Sequence, residues 1–433
     1  MNYTQNERIA QVGDNTLVVG IDVGSDKHYA RAFTERGLEV SRKAFVFENT
    51  ESGFGLLDSW MEKLASENGK SKIMVGFEPT GHYWFLLGHH LKERGTGFVV
   101  VAPQHVKHSK ELDDNTQRKD DRKDPRVIAK LVIEGRYSIA YMPEGKFAEL
   151  RIVYNRRCEL VEQQTRITNR ITRWFDIYFP EYRTVFDKVD AISGMMILKR
   201  VPLPKEILEL GAEGINAIWR DAKLRGAGMK RAQTLVAAAE HSIGLDGGYA
   251  AKLDLWQLLE EYELVASQLE KVMEAIKEML AEIPEAERIM EIKGVGVVIA
   301  AGLLAEIGDI KRFSSPKQIQ KLAGLAIVEN SSGKHKGRSG ISRRGRRRLR
   351  KVLFLAAMAL VGHNDEFRQL HQYYTTRKDN PLKRMQSLMA LAAKLIRVVF
   401  GIIKTGKSYD PTKMLGDIRR VEQAAAYGLG ATA

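Results

Sequence analysis

Four carboxylates in the first third of the chain have the spacing of a cation-binding set. Asp22 closes the apolar run TLVVGIDVG, Glu78 closes KIMVGFE, and Asp121 and Asp124 stand three apart in DDRKDP. Brought together, four such groups repel one another unless divalent cations neutralise them, and hard oxygen ligands suit Mg²⁺ or Mn²⁺. Two cations bridging a phosphate would activate a nucleophile and stabilise the leaving oxygen. A second constellation lies in NSSGKHKGRSGISRRGRRRLRKV, where Ser331 and Ser332 precede ten Lys or Arg among the eighteen residues from Lys334 to Lys351. A serine hydroxyl is a poor nucleophile alone and needs a base, a metal or a cationic surround. The arginines supply the last of these.

The elements that must position the carboxylates follow from hydrophobic patterning. TLVVGIDVG predicts a buried strand, and HYARAF and KAFVFE two more at short spacing, an antiparallel meander. Then come a helix over GFGLLDSWMEKLA, a strand KIMVGFE, a helix YWFLLGHHLKE, a strand GFVVVAP and a helix opening at Asp124 and Pro125. Proline suits the first helical position. That order predicts a mixed α/β sheet with helices on its faces. Asp22 and Glu78 then sit at strand ends, and Asp121 and Asp124 can face one way at a helix start.

Each carboxylate also has an ordinary reading. Asp after a strand is often a turn residue, Asp124 before Pro is a good N-cap, and Asp120, Asp121 and Asp124 lie in the charged stretch DDNTQRKDDRKD. Only their joint placement favours chemistry. By composition Ser331 and Ser332 are likewise loop residues that cap a turn.

From Gly145 to Pro284 the pattern becomes long helices. Leu255, Leu258, Tyr262, Val265, Leu269, Val272, Ile276, Met279 and Ile283 keep spacings of three and four, a coiled-coil seam, and an earlier helix runs from about Lys146 to Tyr178. The pair predicts an antiparallel hairpin or a dimerising arm, since heptads do not name the partner chain. Residues 180–248 carry mixed helical patterns and no legible chemistry. In MEIKGVGVVIAAGLLAEIGDIKRF, Gly294 and Gly296 sit between two apolar helical segments, resembling a helix-hairpin-helix whose backbone N–H groups hold a phosphate. A tight helix connection explains the same glycines. Beyond a loop at Ser331, Ser332 and Gly333, a helix is expected from near Arg344 with Leu349, Val352, Leu353, Ala356 and Leu360 on its buried face.

Charge distribution sharpens the class. The 433 residues carry a formal net charge of +14. From Glu285 onward 28 Lys or Arg face 12 Asp or Glu, so that segment carries +16 and the rest about −2. Candidate phosphate contacts are Lys334, Lys336, Arg338, Arg343, Arg344, Arg346, Arg347 and Arg348, with Gly294 and Gly296. The single cysteine, Cys158, forms no internal disulfide and the N-terminal stretch has no apolar leader core. A cytoplasmic protein is expected. The longest apolar runs read as too short or too interrupted for a bilayer, so no membrane partner is expected.

GIDVGSDKH, GFEPTGHYW and KDDRKDPRVIAKL resemble the three acidic blocks of the RuvC-like DEDD domain in insertion-sequence transposases of the one-ten family, relatives of the Piv DNA invertase. AGLAIVENSSGKHKGRSGISRRGRRRLRKVLFLAA resembles the carboxy-terminal transposase domain of the same family. Pro125 and Ile327 stand where that pattern has alanine and proline. The resemblance implies an RNase H-like fold over 16–144, a helical coiled-coil region over 145–284, a mostly α-helical transposase domain over 285–409 and a tail over 410–433. It implies that Asp22, Glu78, Asp121 and Asp124 hold Mg²⁺ or Mn²⁺ and that Ser332, with Ser331 as the fallback, is a covalent nucleophile. It further implies donor and target DNA as partners, a bridge (guide) RNA pairing with both, a homo-oligomer (a dimer, or a tetramer on DNA) acting at the nucleoid, and a metal and serine site shared across chains. Two other activities use the same features differently. A two-metal nuclease or junction resolvase needs the carboxylates and no serine; a non-catalytic nucleic-acid-binding protein needs only the basic segment.

Overall fold

The computed structural model describes residues 4–113, 124–328, 331–332, 335–336, 339–416 and 418. The chain divides into two compact units, Met1–Met142 and Pro143–Ala433.

The first unit is a six-stranded mixed sheet with helices on both faces. Its elements are α1 (Gln5–Ala10), β1 (Thr16–Val23), β2 (Lys27–Phe33), β3 (Phe45–Glu48), α2 (Glu51–Glu67), β4 (Lys72–Phe77), α3 (Trp84–Glu93), β5 (Gly97–Val100), α4 (Pro103–Asp113), α5 (Asp124–Ile133) and β6 (Ser138–Ile139). The strand order is β3-β2-β1-β4-β5-β6, with the first three antiparallel, β1, β4 and β5 parallel, and β6 antiparallel at the edge. The expected meander and mixed sheet are therefore present. Alternation along β1 sends Leu17, Val19, Ile21 and Val23 into a core with α2 and α3, and Val18 into a second core with α5. Full burial of each such aliphatic side chain is worth about 1.5–3 kcal/mol. α4 and β6 were not legible: PQHVKHSKELD is too polar to show a helical stripe, and β6 is two exposed residues.

The second unit is helical. Two 34-residue helices, α6 (Gly145–Tyr178) and α11 (Gly248–Ala281), run antiparallel along each other for about 50 Å. Lys146 meets Glu282 at 3.0 Å, Arg170 meets Glu261 at 3.2 Å, and the Trp174 indole N–H donates to the Ala251 carbonyl at 2.8 Å. The seam read from the sequence is thus filled by the same chain, and α11 ends before Ile283. Between the two arms, α7 (Tyr182–Val185), α8 (Ile192–Leu198), α9 (Pro204–Asp221) and α10 (Met229–Glu240) close a core around Trp174, Phe175 and Trp219.

At the other end of the hairpin a second core joins α12 (Pro284–Met290), α13 (Val297–Ile307), α14 (Pro316–Leu322), α15 (Arg347–His363), α16 (Asp365–Thr376), α17 (Arg384–Thr405) and α18 (Pro411–Met414). α17 alone among the described helices is long and apolar enough to cross a membrane, by length and composition. Lys394 and Arg397 interrupt its apolar run. Its apolar residues Leu391, Leu395, Ile396, Val399, Ile402 and Ile403 are buried in this core, which accounts for its hydropathy.

The expected loop before α15 is a β-ribbon instead. β7 (Ile327–Val328) pairs with β10 (Gly340–Ile341), and β8 (Ser331–Ser332) with β9 (His335–Lys336), all antiparallel. Two-residue ladders of Ser, His and Lys have no apolar alternation, so pattern reading missed them. α15 starts at Arg347, three residues later than expected, because Ser342, Arg343 and Arg346 are bonded back to Ala326, Gly324 and Leu322 at and just after the end of α14.

Candidate active site and nucleic-acid interface

Strand register makes Asp22 and Glu78 neighbours, and two glycines bring α5 onto the face they share. β1 and β4 are parallel with Gly20 opposite Gly76 and Ile21 opposite Phe77. One step further, Asp22 and Glu78 are therefore neighbours on strands about 4.8 Å apart. Both follow a glycine by two residues, so they share its face of the sheet. That face receives α5 directly. A Cβ at Gly20 would lie 1.9 Å from the Pro125 carbonyl oxygen, and one at Gly76 2.4 Å from Val132 Cγ2. No larger residue fits either position, and the close approach sets the first turn of α5, with Asp124 as its first residue, beside the ends of β1 and β4.

The electrostatics agree with this convergence. Glu78 is half-buried, and burial pushes its carboxyl above the usual carboxylate range; Lys110 opposes the shift and Asp124 adds to it. Two carboxylates that feel each other share a site. Lys110, on α4, is ion-paired with Asp124. It supplies a positive charge at the acidic end of the sheet, and nothing in the sequence singled it out from other lysines of a polar segment. Asp121 and Asp120 lie outside the described residues. Among the described residues no three His, Asp, Glu or Cys side chains form a group ready to hold a metal. The three placed carboxylates nevertheless offer the all-oxygen donors that a hard divalent cation takes, and the strand ends leave them partly exposed.

The basic face belongs to the second unit. The stretch leading into α15 is pinned by backbone hydrogen bonds: Ser342 N–H to the Ala326 carbonyl at 2.8 Å, Arg343 N–H to Gly324 at 3.1 Å and Arg346 N–H to Leu322 at 2.7 Å. Gly324 (φ 70°) and Gly345 cross so closely that a Cβ on Gly345 would lie 2.5 Å from Gly324 N. The Arg350 guanidinium donates to the carbonyls of Ala323 and Arg343 at 3.0 and 3.1 Å. Arg346 donates to the Glu306 carbonyl and Arg348 to Asn155 on α6. Arg346 and Arg350 thus brace the fold, Arg348 stays exposed with its guanidinium on Asn155, and Arg343, Arg344 and Arg347 are exposed beside it. Among the other sequence candidates, Lys334 and Arg338 lie outside the described residues.

Ser331 and Ser332 occupy β8, Ser332 opposite His335 and Ser331 opposite Lys336. Gly294 takes φ 97° in the turn between α12 and α13 and packs on Leu360 and His363 of α15. Asn364 braces that turn, its side-chain amide donating to the Lys293 carbonyl at 3.2 Å. Gly296 caps α13 with open space where a Cβ would be. The first-turn N–H groups of α13 therefore begin at an exposed residue, as an anion contact requires.

A carboxylate-bearing mixed sheet and a basic helical segment each fall within a match to a known family. Residues 19–180 match the DEDD family of IS110 elements, described as "Transposase", and residues 286–372 match "Transposase IS116/IS110/IS902 family". The class is that of transposases, enzymes that act on DNA. The chain belongs to the IS110/IS116/IS902 family of insertion-element transposases. It is 23% identical over 394 residues to the "Insertion element IS116 uncharacterized 44.8 kDa protein" of Streptomyces clavuligerus, covering 91% of this chain and 96% of that one. The "Insertion element IS110 uncharacterized 43.6 kDa protein" of Streptomyces coelicolor is 24% identical, with 92% and 96% covered. A shorter match, 31% identical over 103 residues, is to the "Transposase for insertion sequence element IS1328" of Yersinia enterocolitica, covering 24% of this chain and 31% of that one.

Proposed function

We propose that this transposase is an RNA-guided recombinase that cuts and rejoins DNA through a covalent phosphoserine, with an RNase H-like, RuvC-like metal site in the first unit. What supports the reading is the register that makes Asp22 and Glu78 neighbours at parallel-strand ends, with α5 packed on the face they share and Asp124 raising the Glu78 carboxyl. Asp121, three residues before Asp124, completes the set by its spacing. These residues would hold Mg²⁺ or Mn²⁺, which when bound neutralises the scissile phosphate and the departing oxygen.

The chain's own residues supply the rest. Exposed Arg343, Arg344 and Arg347 hold the phosphate backbone, and the α12–α13 turn adds backbone N–H donors. Ser332 Oγ attacks the scissile phosphorus: the Oγ–P bond forms, the bond to the departing DNA oxygen breaks, and the serine proton passes to a base. Attack by a second strand's hydroxyl reverses the step, frees the serine and rejoins the DNA. The guide RNA, the homo-oligomer, the working divisions 16–144, 145–284, 285–409 and 410–433, and cytoplasmic action at the nucleoid belong to this reading through the family resemblance.

The test is a denaturing gel of the full chain with labelled donor and target DNA, the element's flanking RNA and Mg²⁺. A labelled band at protein size is expected for the wild type, absent for Ser332→Ala and Asp22→Ala and absent without RNA. The loss in strand transfer for either variant should be on the order of 10⁴-fold or more, as for other nucleophile deletions. Free cleaved DNA, insensitive to Ser332→Ala, would instead establish a metal-dependent nuclease that uses water.

A further inference from the structure

The second unit has a groove of about 760 Å³ between the base of the β-ribbon, α15 and the first half of α17. Its two sides differ in chemistry. The floor is apolar and soft: Phe354, Met385, Met389 and Leu325, with Met385 58% exposed and Ile327 at the ribbon edge 76% exposed. The rim is cationic, with Arg343, Arg347 and Lys351 exposed and no Asp or Glu among its described lining residues.

The placement of those cations is costly without a ligand. Arg347, Arg350 and Lys351 fall in the first turns of α15, where the first turn holds no acidic residue. Cations at a helix N-terminus oppose its dipole, and like charges four apart repel. An anion at the rim relieves both. Arg347, Lys351 and Phe354 lie on one stripe of α15, three and four residues apart, so a ligand on the rim also reaches the floor.

We propose that this groove binds a single strand of nucleic acid, with phosphates on Arg343, Arg347 and Lys351 and one or two unstacked bases on Phe354, Met385 and Met389. The inference rests on the second unit binding nucleic acid, and it goes further by naming the strand state. A duplex presents only phosphates and groove edges to a protein surface and leaves this floor wet, whereas an unpaired base has a bare π-face to bury. Methionine surfaces adapt to any base, so binding here is tolerant of sequence. The charge pattern selects an anionic ligand over a second copy of this chain, whose last third is itself strongly basic.

The experiment uses the full-length protein, a single-stranded oligonucleotide carrying 2-aminopurine, and a duplex of the same sequence. Wild-type protein should change the 2-aminopurine emission on binding. Met385→Ser, an uncharged change at an exposed position that leaves the core intact, should weaken single-strand binding about threefold or more and leave duplex affinity within about twofold. Met385→Leu should behave as wild type. If Met385→Ser binds the single strand as tightly as wild type while duplex binding persists, the groove is not a strand site and the inference fails, with nucleic-acid binding by the unit intact. A change from dimer to monomer in Met385→Ser with unaltered single-strand binding also overturns it, assigning the groove to a second copy. Loss of all nucleic-acid binding by wild type would remove the reading beneath it.

Discussion

Glu78 is the residue at which the acidic site can be interrogated without DNA. Burial raises its carboxyl, so the folded protein holds this proton more tightly than the unfolded chain does. A raised folded value means a contribution to stability that is fully present below the unfolded pKa, about 4.3, and is lost as pH rises through the folded one. In chelator at neutral pH, Glu78→Gln should therefore melt a few degrees above wild type, and the difference should vanish as the pH falls toward 4. Adding Mn²⁺ should raise the wild-type melting temperature by mass action and raise the variant's less, because the amide is a poorer ligand. Parallel melts at pH 4 and 7.5, with and without Mn²⁺, check this; a variant less stable than wild type at pH 7.5 in chelator would show that the charged carboxylate is stabilised in the fold. Lys110 is the balancing charge. Its pairing with Asp124 keeps the carboxylate end from carrying its full negative charge when no cation is bound.

At the scale of elements, the site depends on how closely α5 lies on the sheet. Gly20→Ala puts a methyl into the Pro125 carbonyl and should destabilise by about 1–3 kcal/mol, as overpacking does. It should also lift the first turn of α5 and weaken Mn²⁺ binding, although Gly20 carries no ligand atom. A denaturant titration paired with Mn²⁺ binding measures both, and undiminished metal affinity in a destabilised variant would detach the site from this contact. The sequence made Asp22 and Glu78 legible because each ends an apolar run, and Asp124 because it precedes Pro125 at a helix start. It did not make α5's docking legible, since Gly20 and Gly76 look like ordinary strand glycines until the register pairs them. α4 and Lys110 were hidden by polarity, and the β-ribbon by its lack of alternation. The heptads foretold the end of α11 to within a turn but missed its first two turns, and only the packing settled α6 as their partner. The arginine run was read as one phosphate-binding strip, and the structure divides it. Arg346, Arg348 and Arg350 bond to backbone or to Asn155, and the exposed ones remain to meet a ligand.

Across the whole molecule, charge and chemistry are kept apart in sequence. The +16 of the segment from Glu285 onward and the near-neutral remainder imply that affinity for DNA comes from the carboxy-terminal part, while the carboxylates of the first unit repel phosphate unless a cation is present. Binding should therefore fall steeply with salt, each phosphate contact adding about 0.9 to the slope of log K against log salt for duplex DNA. Replacing Arg343, Arg344 and Arg347 together by alanine should lower that slope by about 3. The same triple variant should keep its fold, because the arginines that bond to the scaffold are untouched. Asp22→Ala, by contrast, should leave the slope unchanged and, without metal, tighten duplex binding slightly by removing a repelling charge. Fluorescence anisotropy with a labelled duplex at stepped potassium chloride concentrations measures all three proteins in one series. A triple variant with the wild-type slope would move the phosphate contacts elsewhere on the basic segment. An Asp22→Ala protein that binds duplex more weakly in chelator would mean that the carboxylate end contributes to affinity before any cation arrives.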